Sequence, residues 1–441
     1  MPLALASLVF DPADPKAALG QLPQAQAVFA LYGDDARAEP YIGRTPNLRA
    51  RLERLLQPSA KHPRRLHLAG LVRRIEWQLT GSDLESLLAQ FSLLDEIFGA
   101  KALERMHLRH PAFVRFLGSN PYPRITVTHR PSLREADWAY GPFPSRAAAE
   151  RFPEEALKLF LLRRCTFELN PDPAYPGCVY SEMKMCLAPC YKGCSDERYA
   201  EESAAVQDFL ATRGESRLVT LRAARDKASA ELAFESAAAL HAQVQRVEAV
   251  HALAAELVRP LSRLRAVILQ ASAQPDEVAV FLFENGRMRG PAGFSTLGMR
   301  IQNEQSGSSS LFAQPMAIEA TPEGEQATPA GKNRPPGAPA GSEGAREQED
   351  VKPMAHNRLP RGLLESRLET ALAELSATSA PPSATVRQAH LALLKRWYYR
   401  PEGRRTGEIF FPDAEDRLPA KAILRGIGRV AARALESAAD R

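Results

Sequence analysis

Tyr41-Ile42-Gly43-Arg44-Thr45-Pro46-Asn47-Leu48-Arg49-Ala50-Arg51 is the stretch on which the reading of this chain turns. Tyr41-Ile42-Gly43 reads as the end of a strand. Thr45 then reads as an N-cap with Pro46 at the first helical position, where its missing N–H costs no hydrogen bond. The helix that follows carries Leu48, Leu52, Leu55 and Leu56 on one face, the recurrence of a buried stripe. Arg51 lies three residues after Leu48 and four before Leu55. That position turns it towards the sheet rather than into solvent, and an arginine so placed needs a reason.

Outward from this stretch the chain alternates strand and helix signals. Ala27-Val28-Phe29-Ala30-Leu31-Tyr32 reads as a strand closed by the polar turn Gly33-Asp34-Asp35. Ser82 and Glu85 form a capping box that opens a helix to about Phe98, with Leu84, Leu87, Leu88 and Phe91 inward. Residues 124–129 alternate as a strand. Residues 196–253 are helical and highly charged, broken near Gly214, which predicts two helices folded back as a hairpin. Ala266–Leu269 and Val278–Leu282 read as paired strands. From Gln302 to Pro360 the residues Ser, Gly, Pro, Ala, Gln and Glu dominate without hydrophobic periodicity, the composition of a disordered linker. Beyond it, Leu363–Leu375 and Ala384–Arg396 look helical, and a last short helix follows Gly426-Ile427-Gly428.

Length and composition bound the class. A chain of 441 residues suggests about three domains, and 45% hydrophobic residues suffice for real cores. Met1–Phe10 is apolar but lacks a basic flank, so no export signal is expected. No stretch approaches the about 18–20 apolar residues of a membrane span. The expectation is a cytoplasmic protein with no membrane partner. The net charge of +5 says little, but its distribution says more. Arg44, Arg49, Arg51, Arg54, Lys61, Arg64, Arg65, Arg73 and Arg74 face the single acid Glu53 between residues 44 and 74. Such a cluster is the footprint of a polyanion such as DNA.

Cys165, Cys178, Cys186 and Cys190 form a C-x12-C-x7-C-x3-C run within 26 residues, with Cys194 left over. Thiolates select zinc or iron–sulfur clusters over hard cations. Structural zinc sites favour short C-x2-4-C pairs, whereas cluster ligation tolerates irregular spacing. Inert core thiols or two disulfides of a secreted chain are the plainer readings. Only five of 441 residues are Cys and no export signal is visible, so a metal or cluster site is favoured.

These elements, in this order, resemble the excinuclease-C (UvrC) family within the GIY-YIG nuclease superfamily, which makes the incisions of bacterial nucleotide excision repair. The resemblance covers roughly residues 24–300. Tyr41–Arg51 is similar to the second half of a GIY-YIG motif. Tyr140-Gly141-Pro142-Phe143-Pro144-Ser145 and Phe160-Leu161-Leu162-Arg163-Arg164-Cys165 resemble the approach to the family's cysteine cluster, which Cys186-Leu187-Ala188-Pro189-Cys190 closes. The resemblance implies a [4Fe–4S] cluster, or zinc, at the four cysteines. It also implies that residues 217–252 are a UVR hairpin engaging an excinuclease B-type subunit.

The implied fold is α+β and multidomain, in a divergent, C-terminally shortened member of the family. It comprises a GIY-YIG domain over 24–120, a connecting region with the four-cysteine cluster over 121–200, and the UVR hairpin over 201–255. A remnant of a ribonuclease-H-like domain follows over 262–300, then the linker over 302–360 and a helical segment over 361–441. The implied catalytic residues are Tyr41, which helps activate water, and Arg51, which neutralises charge on the phosphate. Arg44 stands where the family has lysine. One Mg2+ or Mn2+ would sit on a carboxylate.

The chain departs from the family pattern at three positions. Phe29 lacks the first tyrosine's hydroxyl. Glu85-Ser86-Leu87-Leu88-Ala89-Gln90 ends in glutamine where the family has the metal-binding glutamate, and a neutral amide is a poor ligand for a hard cation. Glu85 is about 140° around the helix from Gln90 and cannot replace it. Val114 stands for a late asparagine. The second, ribonuclease-H-like acidic site has no counterpart, and Gly426-Ile427-Gly428 is either a faint helix-hairpin-helix or a simple helix start. Lys395-Arg396-Trp397-Tyr398-Tyr399-Arg400 is either a single-strand-binding surface or the edge of a small core. Three functions stay open: a single-incision endonuclease, a DNA- and partner-binding scaffold without cleavage, and an iron–sulfur regulatory protein.

Overall fold

Alternating burial organises the N-terminal sheet. The computed structural model describes residues 5–35, 37–57, 68–299, 359–376 and 381–439. Lys61, Arg64, Arg65 and all but the last two residues of the 302–360 segment lie outside the described residues. The first unit runs β1 (Ala6–Val9), α1 (Pro15–Gly20), β2 (Ala27–Tyr32), β3 (Tyr41–Thr45), α2 (Leu48–Leu56), β4 (Arg74–Leu79), α3 (Asp83–Phe98) and α4 (Ala102–Arg105). Its strands pair antiparallel in the order β1-β4-β2-β3. Successive β2 side chains point to opposite faces. Phe29 and Leu31 meet Leu48, Leu52 and Leu55 of α2 on one face, and Val28 and Ala30 meet Ala89 and Leu93 of α3 on the other.

Helix α2 starts two residues later than the sequence suggested. Thr45 stays in β3, and Asn47 is the cap, its side chain accepting from the Ala50 amide at 2.9 Å. The physical reason is Pro46, whose ring holds the residue before it in extended backbone.

The second unit contains β5 (Ala112–Phe116), β6 (Ile125–Thr128), β7 (Ala139–Phe143), α5 (Arg146–Ala156), α6 (Val179–Glu182), α7 (Asp196–Thr212), α8 (Glu215–Ala230), α9 (Phe234–His251) and β8 (Arg259–Pro260). Its sheet order is β6-β5-β7-β8. Val114 is fully buried in β5 beside Tyr140, Phe152 and Val247. It therefore fills the core of this second sheet and does not close the first unit, and the boundary set at residue 120 falls after a strand that belongs to the second sheet. The helical region is three helices rather than two. Gly214 (φ 91°) separates α7 from α8, and the hairpin itself turns at Leu232 (φ 60°) between α8 and α9.

The third unit joins segments that the sequence kept apart. β9 (Ala266–Ala271), β10 (Glu277–Glu284) and β11 (Arg287–Ser295) form a meander, and β12 (Glu408–Phe410) pairs antiparallel with β9 to give the order β11-β10-β9-β12. Helices α10 (Arg361–Ser376), α11 (Ala384–Tyr398) and α12 (Ala420–Ala439) complete it. The 361–441 segment is thus not a separate helical piece, because the free edge of β9 takes its partner from there. Gly426 and Gly428 lie inside α12 and do not precede it. A Cβ on Gly426 would stand 2.5 Å from Phe410 Cζ, so glycine lets the helix approach β12 closely. All three units meet in one core. Leu84, Leu87 and Phe91 of α3 pack there with Phe113, Ile268, Phe281, Leu393 and Trp397.

Candidate functional site

Strand β3 sets the geometry of the motif by alternation. Tyr41 lies on the α2 face and Ile42 on the α3 face, which places Gly43 with Tyr41 and Arg44 with Ile42. Arg51 Nη2 donates to Tyr41 Oη at 3.3 Å, so the structure brings these two residues together. Phe29 stands opposite Gly43 in register, with its ring centroid 6.1 Å from that of Tyr41. A Cβ on Gly43 would be 2.7 Å from Phe29 Cζ. The ring therefore packs flush over the glycine and contributes bulk without a hydroxyl.

Arg44 is already engaged by a carboxylate. It donates to Asp83 at the start of α3, and Asp83 also receives Arg400, just past α11. Burial alone would raise the Asp83 carboxyl, but hydrogen bonds and charge from Arg400 and Arg44 outweigh it and hold the pKa below the usual value. Gln90 is half-buried on α3, on the face of the sheet opposite the Tyr41–Arg51 pair. Glu85 is buried, and its Oε2 accepts from the Gly81 amide at 2.8 Å. Burial lifts its pKa to about 7 against that hydrogen bond, so it acts as a helix cap.

The basic cluster is largely consumed by the fold. Arg49 donates to the Leu22 and Gly20 carbonyls at 2.7 and 2.9 Å, closing the end of α1. Arg73 donates to the Gly70 and Val72 carbonyls and pairs with Asp34. Arg74 lies 4.4 Å over the Tyr32 ring and pairs with Glu76. Arg54 is exposed and bonds back to the Ala50 carbonyl. Sequence reading missed these uses because a carbonyl acceptor leaves no mark in residue type.

The aromatic run near the C-terminus is core. Trp397 is buried and its Nε1 donates to the Thr406 carbonyl at 3.1 Å; Tyr399 Oη donates to the Pro142 carbonyl at 3.0 Å. In the third sheet Gln270 is fully buried and donates to the Thr406 carbonyl at 3.0 Å. Glu284 pairs with Arg265 and Arg289, and Glu408 with Arg429 and Arg433. Glu284 thereby ties β10 to β11, and Glu408 ties β12 to α12.

The five cysteines are free thiols. Lys184, Ala188 and Lys192 take left-handed backbone, as does Gly177, and wind the chain around Cys178, Cys186 and Cys190. The Ala188 amide donates to Cys186 Sγ at 3.3 Å, and Arg163 Nη1 lies 3.5 Å from Cys165 Sγ. Burial pushes the Cys186 thiol up to about 11 against the Ala188 hydrogen bond, with Cys165, Cys190 and Cys178 adding to the rise. The Leu187 amide donates to the Leu161 carbonyl and the Asp172 amide to the Cys190 carbonyl, both at 2.9 Å, so the loops that carry the cysteines run side by side. Among the described residues, however, no three His, Cys, Asp or Glu side chains form a group that could hold a metal ion as they stand. The chemistry of the surroundings fits a thiolate centre. Arg163 is 1% exposed, its Nε and Nη1 find only carbonyls and a sulfur, and its Nη2 is buried without an acceptor. A buried cation without a carboxylate calls for negative charge nearby.

Two of the exposed large apolar side chains lie two residues apart at one turn. At the α8–α9 turn Leu232 is 70% and Phe234 67% exposed. The sequence marked the hairpin but not its tip, since an apolar residue in a helical run reads as core. No helix among the described residues is long and apolar enough to cross a membrane.

Comparison with known proteins agrees with this architecture in part. Residues 113–209 match the family described as UvrC/Cho excinuclease, middle domain, which begins within β5, as the second sheet does. The UvrABC system protein C of Alcanivorax borkumensis is 30% identical over 210 residues, covering 48% of this chain and 34% of that protein. Its counterpart in Pseudomonas protegens is 28% identical over 240 residues, 54% of this chain and 39% of that protein. That of Aliivibrio fischeri is 27% identical over 239 residues, 54% and 38% respectively. The matches thus span little more than a third of the length of these curated relatives. No solved structure matches the chain. With a middle-domain match seated on the second sheet and its helices, and C proteins of the UvrABC system among its relatives, the chain carries a UvrC/Cho middle domain over residues 113–209 and is similar to UvrC proteins over about half of its length.

Proposed function

We propose that the chain is an excinuclease-C-like recognition scaffold of nucleotide excision repair, which binds DNA and a B-type subunit and has lost phosphodiester cleavage. The observation that carries the proposal is the α8–α9 hairpin, which takes in nearly all of the 217–252 segment, with Leu232 and Phe234 held out at its turn. Two large apolar side chains side by side at one exposed tip favour a protein partner, because adjoining exposed apolar surface marks interaction sites more than scattered residues do. Lost cleavage is supported by Gln90, which offers a metal no charge, by Phe29, which offers no hydroxyl, and by Arg44, which is bound to Asp83.

Cys165, Cys178, Cys186 and Cys190 would hold a [4Fe–4S] cluster or, with the same donors, zinc; either supplies charge and rigidity to the loops around it. Arg163 would balance that charge. The Tyr41–Arg51 contact favours one competing reading, a single-incision nuclease using Mg2+ or Mn2+. Nicking of supercoiled, ultraviolet-damaged plasmid with and without a damage-loaded B-type partner separates the two. Silence with retained DNA and partner binding supports the scaffold. Nicking that vanishes in Tyr41→Phe and Arg51→Ala would sink it.

A further inference from the structure

Lys158, Arg217, Gln243 and Arg246 converge on a cavity of about 120 Å³ between the end of α5 and the α8–α9 hairpin, over an apolar floor that includes Leu221 and Val247. All four can donate hydrogen bonds, three are cations, and no carboxylate lines this cavity. A second cavity of about 370 Å³ shares Lys158 and Arg246 and adds Arg151 and Glu155.

Elsewhere the hairpin neutralises its cations. Arg222 pairs with Glu248 at 2.8 Å, Arg225 with Asp226 at 2.7 Å, and Lys227 with Glu231 at 4.0 Å. At the cavities only Lys158 has an acid, Glu155 at 2.7 Å. Arg151, Arg217 and Arg246 have no carboxylate partner among the described residues. Arg217 lies 4.8 Å over the Phe160 ring, and its Nε is shielded from water without an acceptor. An unmet buried donor costs stability, and converging cations raise the local potential. An anion with several acceptor oxygens relieves both, and the guanidinium fork matches phosphate.

We propose that this cavity is a phosphate site, seated at the base of the hairpin and away from its apolar tip. The phosphate comes either from a nucleic-acid backbone or from a small phosphorylated molecule, and the test separates them. The intact 441-residue chain and its Arg246→Gln, Arg217→Lys and Arg217→Met variants are titrated with a labelled DNA duplex at stepped salt. Each is also titrated with inorganic triphosphate by calorimetry. Arg246 is exposed, so its variant keeps the fold even if removing Arg217 from the Phe160 ring does not.

A backbone phosphate makes the slope of log affinity against log salt shallower by about one per lost cation. A small-molecule phosphate leaves that slope unchanged and weakens triphosphate binding by roughly tenfold. Variants that match the wild type in both titrations overturn the proposal, as does a wild type that binds neither ligand. A wild type that ignores DNA but binds triphosphate would defeat the DNA-binding reading above while supporting the cavity.

Discussion

Arg400 donates to Asp83 across 317 residues of chain, on the carboxylate that also receives Arg44. One acid thus links the Tyr41–Arg51 motif's own strand to the C-terminal segment. Asp83→Asn should cost about 1–3 kcal/mol, the range of a charge-assisted, half-shielded network. The pH dependence follows from the depressed folded pKa. Asp83 stabilises the fold above its ordinary value of 3.8, and that contribution is lost as the pH falls through the folded value. Urea unfolding between pH 2 and 6 should therefore fall more steeply for the wild type than for Asp83→Asn. Parallel curves would show that the bridge carries no free energy.

Glu85 has the opposite sign. Its folded pKa of about 7 exceeds the ordinary 4.5, so the folded state favours the protonated form. Stability is unaffected below 4.5 and declines as the pH rises from there to about 7. Glu85→Gln keeps an acceptor for the Gly81 amide and should remove this decline, gaining about 1–3 kcal/mol at pH 8. A melting temperature equally pH-sensitive in both proteins would place the titration elsewhere.

The hairpin tip can be tested without disturbing the core, because Leu232 and Phe234 are already in solvent. Leu232→Ser and Phe234→Ser should each weaken association with a B-type subunit by roughly thirtyfold, the scale of an interface anchor. Circular dichroism should not change. Unaltered association would move the partner surface off the turn.

Arg163 reports on the cysteine centre. Arg163→Gln should weaken retention of iron or zinc by about tenfold, as loss of a charge beside metal-bound sulfur does, and Arg163→Lys should recover part of it. Metal content and, if iron is present, the reduction potential are the readouts. A metal-bearing wild type whose Arg163→Gln variant matches it in both would leave the guanidinium a purely structural role.

Much of the architecture was legible because burial has a period. Leu48, Leu52, Leu55 and Leu56 announce α2, and the apolar runs at Ala266–Leu269 and Val278–Leu282 announce paired strands. Pattern fails where the deciding partner is distant or is backbone. β12 is three residues long and exists only because β9 has an edge to fill. The hairpin turns at Leu232, a residue no turn rule favours, in left-handed backbone. For the site, the turn of Arg51 towards the sheet was readable from its place beside the leucine stripe, and its pairing with Tyr41 was suggested by the family resemblance, whereas Asp83 looked like an ordinary first-turn acid. Its two arginines come from residues 44 and 400, and no local pattern pairs them.

The core shared by the three units also sets an order of events during synthesis. Leu84, Leu87 and Phe91 emerge from the ribosome early, yet the helix that covers them, Ala384–Tyr398, follows only after the second sheet and β9–β11. Until then the part of the α3 surface that this helix covers stays open. Nascent chains halted before residue 384 should therefore be held by chaperones or be cut by protease within α3. Chains released after residue 411, which supplies Phe411 to the same core, should resist both.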